Sequence, residues 1–211
     1  MKALTVEQTV EMIKAACDAI IENKPYLTEV DSAIGDGDHG IGMSGGMEKA
    51  KKALEEKGPF EDVNTVFKTT GMAMLNSMGG ASGVIFGSMF LGGIKGYEKI
   101  TELDGENLTK IMRGSLESIK TRGKAQVGDK TMVDALEPAV IAMEGADKED
   151  LAALLKAAAE AAKEGVENTK KYVAKFGRAK SLMERAIGHQ DAGATSVSII
   201  FEAMYTYASN N

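Results

Sequence analysis

Residues 31–46 read D-S-A-I-G-D-G-D-H-G-I-G-M-S-G-G, and how this stretch joins its neighbours governs the reading of the whole chain. It holds Asp31, Asp36, Asp38 and His39 among six glycines, with no lysine or arginine. Carboxylates this close repel one another near neutral pH unless a cation sits among them. In an extended backbone alternate side chains share a face, so Asp36 and Asp38 can aim at one point while Asp31 reaches in from the preceding turn. All-oxygen ligation suits a hard divalent ion. Mg²⁺ takes few carboxylates and completes its octahedron with water and phosphate oxygens, so the stretch predicts a metal and a phosphate ligand together. A lone G-D-G would mean only a turn, but three aspartates within eight positions are more than a turn needs. A helix-loop-helix calcium site is excluded: a register starting at Asp36 puts Ile41 at the required glycine and Met47 at the closing glutamate.

Upstream, Val6, Val10, Ile13, Cys17 and Ile20 recur at spacings of three and four, predicting an amphipathic helix over 5–22 with Thr5 as N-cap and an end before Pro25. Downstream, Met43, Met47, Ala50 and Leu54 predict a second helix over 43–57, stopped by Gly58-Pro59. Its free N–H groups would lie beneath the aspartates, as an anion site requires. The alternation of helix and glycine-rich loop continues. Helices are predicted over 62–78, after the loop 79–83, over 105–121, from 131 with a kink at Pro138, over 148–176 and over 195–208. Gly83 and Gly87 would admit a neighbouring helix or a ligand.

The expected class is therefore all-α, with eight antiparallel amphipathic helices and no run of strand periodicity. Alternate loops of such a bundle share an end. The loops at 31–46, 79–83, 122–130 and 177–194 follow helices one, three, five and seven, which gathers the aspartates, Ser82, Gly123, Arg178 and Asp191 around one pocket.

Composition narrows the function. At 211 residues and 44 % hydrophobic content, a single domain over 1–211 is expected. A net charge of −6 speaks against nucleic-acid or anionic-membrane partners. The one cysteine, Cys17, excludes an internal disulfide and a cysteine-rich zinc site, and its apolar helical face implies core packing in a reducing cytoplasm. The N-terminal residues lack the apolar run of a secretory signal, and the most apolar segment, 84–94, falls short of the roughly 20 residues that span a bilayer. No G-x-x-x-x-G-K-[ST], D-F-G or H-R-D occurs, so a bound nucleotide would be held in some other way.

Four stretches in order, D-S-A-I-G-D-G-D-H-G, G-G-A-S-G, R-G-K-A-Q-V-G-D-K-T-M and G-R-A-K-S-L-M-E-R-A-I-G-H-Q-D-A-G-A-T-S, make the chain resemble the nucleotide-binding L subunit of dihydroxyacetone kinases, the DhaL family, along nearly its whole length. The resemblance implies a barrel of eight antiparallel helices, with ADP or ATP and two Mg²⁺ ions in the loops at one end. It implies Asp31, Asp36 and Asp38 as metal ligands; His39, Gly40, Ile41, Gly42, Ala81 and Ser82 near the phosphates; and Gly123 and Met132 beside the adenosine. Arg178, Asp191, Ala192 and Gly193 would close the site, with His39 and Arg178 as the catalytic candidates. Two departures stand out. Ala192 replaces an expected proline, which should loosen that turn slightly, and Gly37 stands where relatives often carry alanine, a spacer where the change should be harmless. The resemblance also implies a phosphotransferase active only with a K-type acceptor subunit, its ADP re-phosphorylated by an M-type protein of the phosphotransferase system. It leaves a homodimer open. The resemblance also leaves open two further readings: an L-type subunit serving another acceptor, such as a short ketose or a carrier-bound fatty acid, and a regulatory nucleotide-binding module, as relatives of the family can dock onto a transcription factor.

Overall fold

Thr5 opens the first helix as its position predicts. Its hydroxyl accepts the Gln8 N–H at 3.2 Å and the Gln8 side chain accepts the Thr5 N–H at 3.0 Å, a reciprocal cap on α1 (Val6–Glu22). The structure, a computed structural model, describes residues 1–96 and 98–211. α1 stops at Asn23, but the chain does not become a loop there: α2 (Lys24–Ser32) restarts at once, with Pro25 in its first turn. A proline ends one helix and is equally at home at the start of the next, because its missing N–H would find no partner there. Asp31 consequently sits in the last turn of α2.

α3 (His39–Lys57) begins four residues before the expected Met43, α5 (Gly80–Leu91) includes Ala81 and Ser82, and α9 (Ala192–Asn210) begins three residues before Thr195. Glycine's poor helix propensity hid these first turns. α4 (Val63–Ser77) and α6 (Gly105–Gly123) are capped by Asp62 and Asp104. α7 (Val133–Gly145) contains Pro138, which cannot donate to the Asp134 carbonyl; that carbonyl instead faces Gly165 of α8 (Leu151–Thr169), where any Cβ would collide with it. α8 ends seven residues short of the expected 176, and 178–186 forms a 3₁₀ segment interrupted by left-handed backbone at Met183.

Nine α-helices thus replace the expected eight among the described residues, the extra one coming from the break at Asn23. The described residues also include strands, contrary to expectation. β1 (Ala3–Thr5) pairs antiparallel with β2 (Glu102–Asp104), with Leu4 facing Leu103, both fully buried. Three residues with one inward side chain each show no periodicity that a sequence could reveal.

The helix contacts close on themselves. α1 packs on α3, each later helix packs on the next, and α9 returns to α1, while α2 extends along α3 and α9. Met12, Ile13, Phe67, Phe90, Leu136, Leu154 and Phe201, each at most 2 % exposed, fill the interior of this ring. Cys17 belongs to this core, its Sγ 3.7 Å from the Met47 sulfur, and burial pushes its thiol up to about 12. α4 and α5 approach closely: a Cβ on Gly87 would lie 3.2 Å from the Gly71 carbonyl oxygen, so Gly87 serves helix packing. Met1 lies at the start of α8, its carbonyl accepting the Leu151 N–H, and lines one shallow hollow with Asn211. Both chain ends therefore sit opposite the end where α8 finishes and α9 starts. None of the described helices is long and apolar enough to cross a membrane.

Candidate metal and phosphate site

Asp31, Asp36 and Asp38 converge: one carboxylate oxygen from each lies within 4.8 Å of the others. The last turn of α2 presents Asp31, while the turn 33–38 presents the other two. Gly37 makes that turn possible with φ +75°, and a Cβ there would lie 2.6 Å from the Ser32 Oγ. In this chain Gly37 is thus more than a spacer, because an alanine would meet both a disfavoured backbone and the Ser32 hydroxyl. The Asp38 carboxyl is raised above its ordinary range, first by desolvation and then by Asp36 and Asp31; the Arg178 guanidinium opposes this. Arg178 Nε lies 2.8 Å from Asp36 Oδ2. Three oxygen donors at this spacing, whose mutual repulsion a cation would relieve, fit a hard divalent ion.

His39 begins α3, and its N–H donates to Asp31 Oδ2 at 3.2 Å. Its ring turns inward: Nε2 lies 2.8 Å from Ser196 Oγ on α9, and the ring centroid lies 5.9 Å from that of Phe86 on α5. Burial lowers its pKa, opposed by Asp31 and the Ala192 carbonyl, so the neutral ring is favoured. Gly40 is buried against α2, and a Cβ there would strike the Lys24 carbonyl and Thr28 Oγ1. Ile41 is exposed, and a Cβ on Gly42 would meet nothing within 4 Å.

Ala81 and Ser82 are exposed on the first turn of α5. Gly123 ends α6 beside Ile85, while Gly193 lies against Met132, its Cβ position 3.4 Å from the Met132 Cβ. Asp191 caps α9 by accepting the Ala194 N–H at 2.7 Å, and burial, with Asp134 adding repulsion, pushes its carboxyl up to about 7. Ala192 is the buried first residue of that helix. The expected site residues thus fall into two clusters: the aspartates with His39 and Arg178, and Met132 with Asp191 and Gly193. His39 to Gly42, Ala81-Ser82 and Ala192-Gly193 occupy first turns of α3, α5 and α9, where free N–H groups and the positive dipole end favour an anion.

The sequence did not point to Ser196, Phe86, Lys130 or Asp134. Asp134 accepts N–H groups from Gly128 at 2.6 Å and Thr131 at 2.7 Å, shaping the 124–132 connection, and Lys130 lies buried behind it. The D-K-T-M-V-D run at 129–134 offered a signal, since two aspartates and a lysine beside an apolar helix must find partners if buried.

Residues 33–206 match the DAK2 domain. The chain belongs to the DAK2 domain family. It is 43 % identical, over 89 % of its length and 89 % of the relative's, to the ADP-binding subunit DhaL of PEP-dependent dihydroxyacetone kinase 1 from Listeria innocua. It is 39 % identical, over 95 % and 97 % respectively, to the ADP-binding subunit DhaL of the PTS-dependent dihydroxyacetone kinase from Lactococcus lactis. Its DAK2 fold superposes on the crystal structure of the dihydroxyacetone kinase from C. freundii in complex with AMP-PNP and Mg²⁺, with TM-score 0.75 and 24 % identity, over 98 % of this chain and 35 % of that one.

Proposed function

We propose that this chain is the ADP-binding L subunit of a dihydroxyacetone kinase, holding Mg-nucleotide at the aspartate end of the ring. It would pass the phosphoryl group to dihydroxyacetone on a separate K-type subunit and have its ADP re-phosphorylated by an M-type protein of the phosphotransferase system, in the cytoplasm. The observation that carries this reading is the convergence of Asp31, Asp36 and Asp38 beside exposed helix first turns, in a chain that matches ADP-binding DhaL subunits nearly end to end.

Asp31, Asp36 and Asp38 would hold two Mg²⁺ ions, which supply neutralisation of phosphate charge. The chain's own residues bind and orient. Backbone N–H groups at 39–42 and 81–82 would bind the phosphates, Arg178 would exchange Asp36 for phosphate oxygens, and Gly123, Met132 and Gly193 would wall the adenosine. Arg178 suits this exchange because its planar fork can take two oxygens, where a lysine offers a point charge. His39, tied to Asp31 by its N–H and to Ser196 by its ring, holds the first turn of α3 against α9. His39, the imidazole beside the aspartates, has its Nε2 engaged with Ser196, which supports leaving the acceptor hydroxyl to a partner. Exposed Ile41, Val84, Val127, Met183 and Ile187 in the loops and first turns of this end form an apolar rim for that partner.

The deciding experiment incubates the purified chain with Mg²⁺, ATP and dihydroxyacetone, with and without a K-type subunit, and measures dihydroxyacetone phosphate. Product is expected only with the partner. Robust product from the chain alone would place the sugar site within these residues and overturn the division of labour.

A further inference from the structure

We infer that Lys130 is a positioning residue for the nucleotide: its buried ammonium clamps the end of α8 to the 188–193 turn and so sets Asp191 and Gly193 against Met132. This rests on the nucleotide reading above. Lys130 is 2 % exposed, and its Nζ donates to the Thr169 carbonyl at 2.6 Å and to the His189 carbonyl at 2.5 Å. Thr169 is the last residue of α8, where the dipole is negative and favours a cation, and its carbonyl accepts the Tyr172 N–H at 3.1 Å as well as the Lys130 ammonium.

The neighbouring bonds show what the clamp holds. The Gly188 N–H donates to the Lys170 carbonyl at 2.7 Å, and the Asp191 N–H to Thr169 Oγ1 at 3.0 Å. The turn that leads into α9 is thus stitched to the end of α8, and Lys130 is the side chain that joins both to the 124–132 connection. Its backbone adopts φ 60°, unusual for a residue with a side chain, and Asp134 braces it by binding the N–H groups of Gly128 and Thr131. Two residues further on, Met132 meets Gly193. One ammonium therefore sets the register between the two segments that flank the adenosine position. Burial lowers the Lys130 pKa, opposed by the Asp191 and Asp134 carboxylates, and the two carbonyls that accept from the ammonium replace the water it gives up.

The test compares wild type, Lys130→Met and Lys175→Met by calorimetric titration with Mg-ADP, well below the melting temperature of each. Lys175 also carries a charge onto the 124–132 connection, pairing with Asp129 at 2.6 Å, but is exposed, so its loss controls for charge alone. Lys130→Met is expected to raise Kd roughly tenfold or more, and Lys175→Met to leave it within about twofold. Equal Kd in wild type and Lys130→Met, or equal weakening by both substitutions, overturns the inference. If Lys130→Met does not fold, Lys130→Gln takes its place, and a folded Gln variant with wild-type affinity also overturns it. Wild type that fails to bind Mg-ADP refutes the nucleotide reading instead. Hydrogen exchange then still tests the clamp: the Gly188 and Asp191 amides should exchange at least about tenfold faster in the variant while those of α4 do not, and unchanged rates overturn it.

Discussion

Asp191 both caps α9 and holds its carboxyl near 7, and the two properties separate under mutation. Its folded pKa lies above the unfolded value of about 3.9, so the folded state binds the proton more tightly. That contribution is full below about pH 4 and is lost as pH rises through about 7. Asp191→Asn keeps a good cap and removes the titration, so its stability relative to wild type should rise between about pH 4.5 and 8 in urea unfolding. A difference that stays flat across that window would contradict the shift. Asp36→Asn and Asp38→Asn should fold normally yet bind Mg-ADP roughly tenfold or more weakly, and unchanged affinity in both would remove the metal assignment. The aspartates were legible because their grouping is local in sequence. Lys130 and Ser196 were not, since each gains meaning from a partner that only the fold brings near, Thr169 and His189 for the one and His39 for the other; Asp134 binds amides three and six residues away and was hidden instead by a turn with no apolar period.

At the scale of elements, two glycines in one helical turn should behave oppositely. Gly40 lets α3 lie against α2, so Gly40→Ala should destabilise by about 1–3 kcal/mol and draw Asp31 away from its partners. Gly42 has open space beside it, so Gly42→Ala should stabilise the free protein by up to about 1 kcal/mol through helix propensity. The same methyl should weaken Mg-ADP binding if phosphate oxygens approach that turn. Urea midpoints and titrations on both variants check the pair. Ala192 is the first residue of α9, a position where proline fits, and Asp191 before it has the extended φ −80° and ψ 132° that a following proline demands. Ala192→Pro should therefore stabilise by about 0.4–1 kcal/mol, and a lowered urea midpoint would show that the turn cannot take the ring. Helix interiors were readable from the period of their apolar residues. The starts of α2, α3, α5 and α9 were misread because proline and glycine break a helix in mid-course yet are tolerated in its first turn, where N–H partners are absent in any case.

For the whole molecule, the aspartate end and the closed ring should act as one cooperative unit. Mg-ADP at 100 times its Kd should raise unfolding stability by about 2.7 kcal/mol, and a chelator should abolish the gain. A thermal shift indifferent to Mg²⁺ would argue that nucleotide binds without the aspartates. The all-α class and the gathering of alternate loops were legible because connections between neighbouring helices are short. Ring closure was implied by the family resemblance alone and not by the helix pattern, since the contact of α1 with α9 joins residues from the two ends of the chain. That closure has a topological consequence. Met1 and Asn211 share a hollow far from the aspartates, so a short glycine-rich bridge between them would leave the ring intact. New ends could then be opened in the exposed turn after Lys57, which lies at that same distal end because α3 runs away from the aspartates. Such a circular permutant should fold and bind Mg-ADP with wild-type affinity, since no residue of the aspartate end would have changed its neighbours.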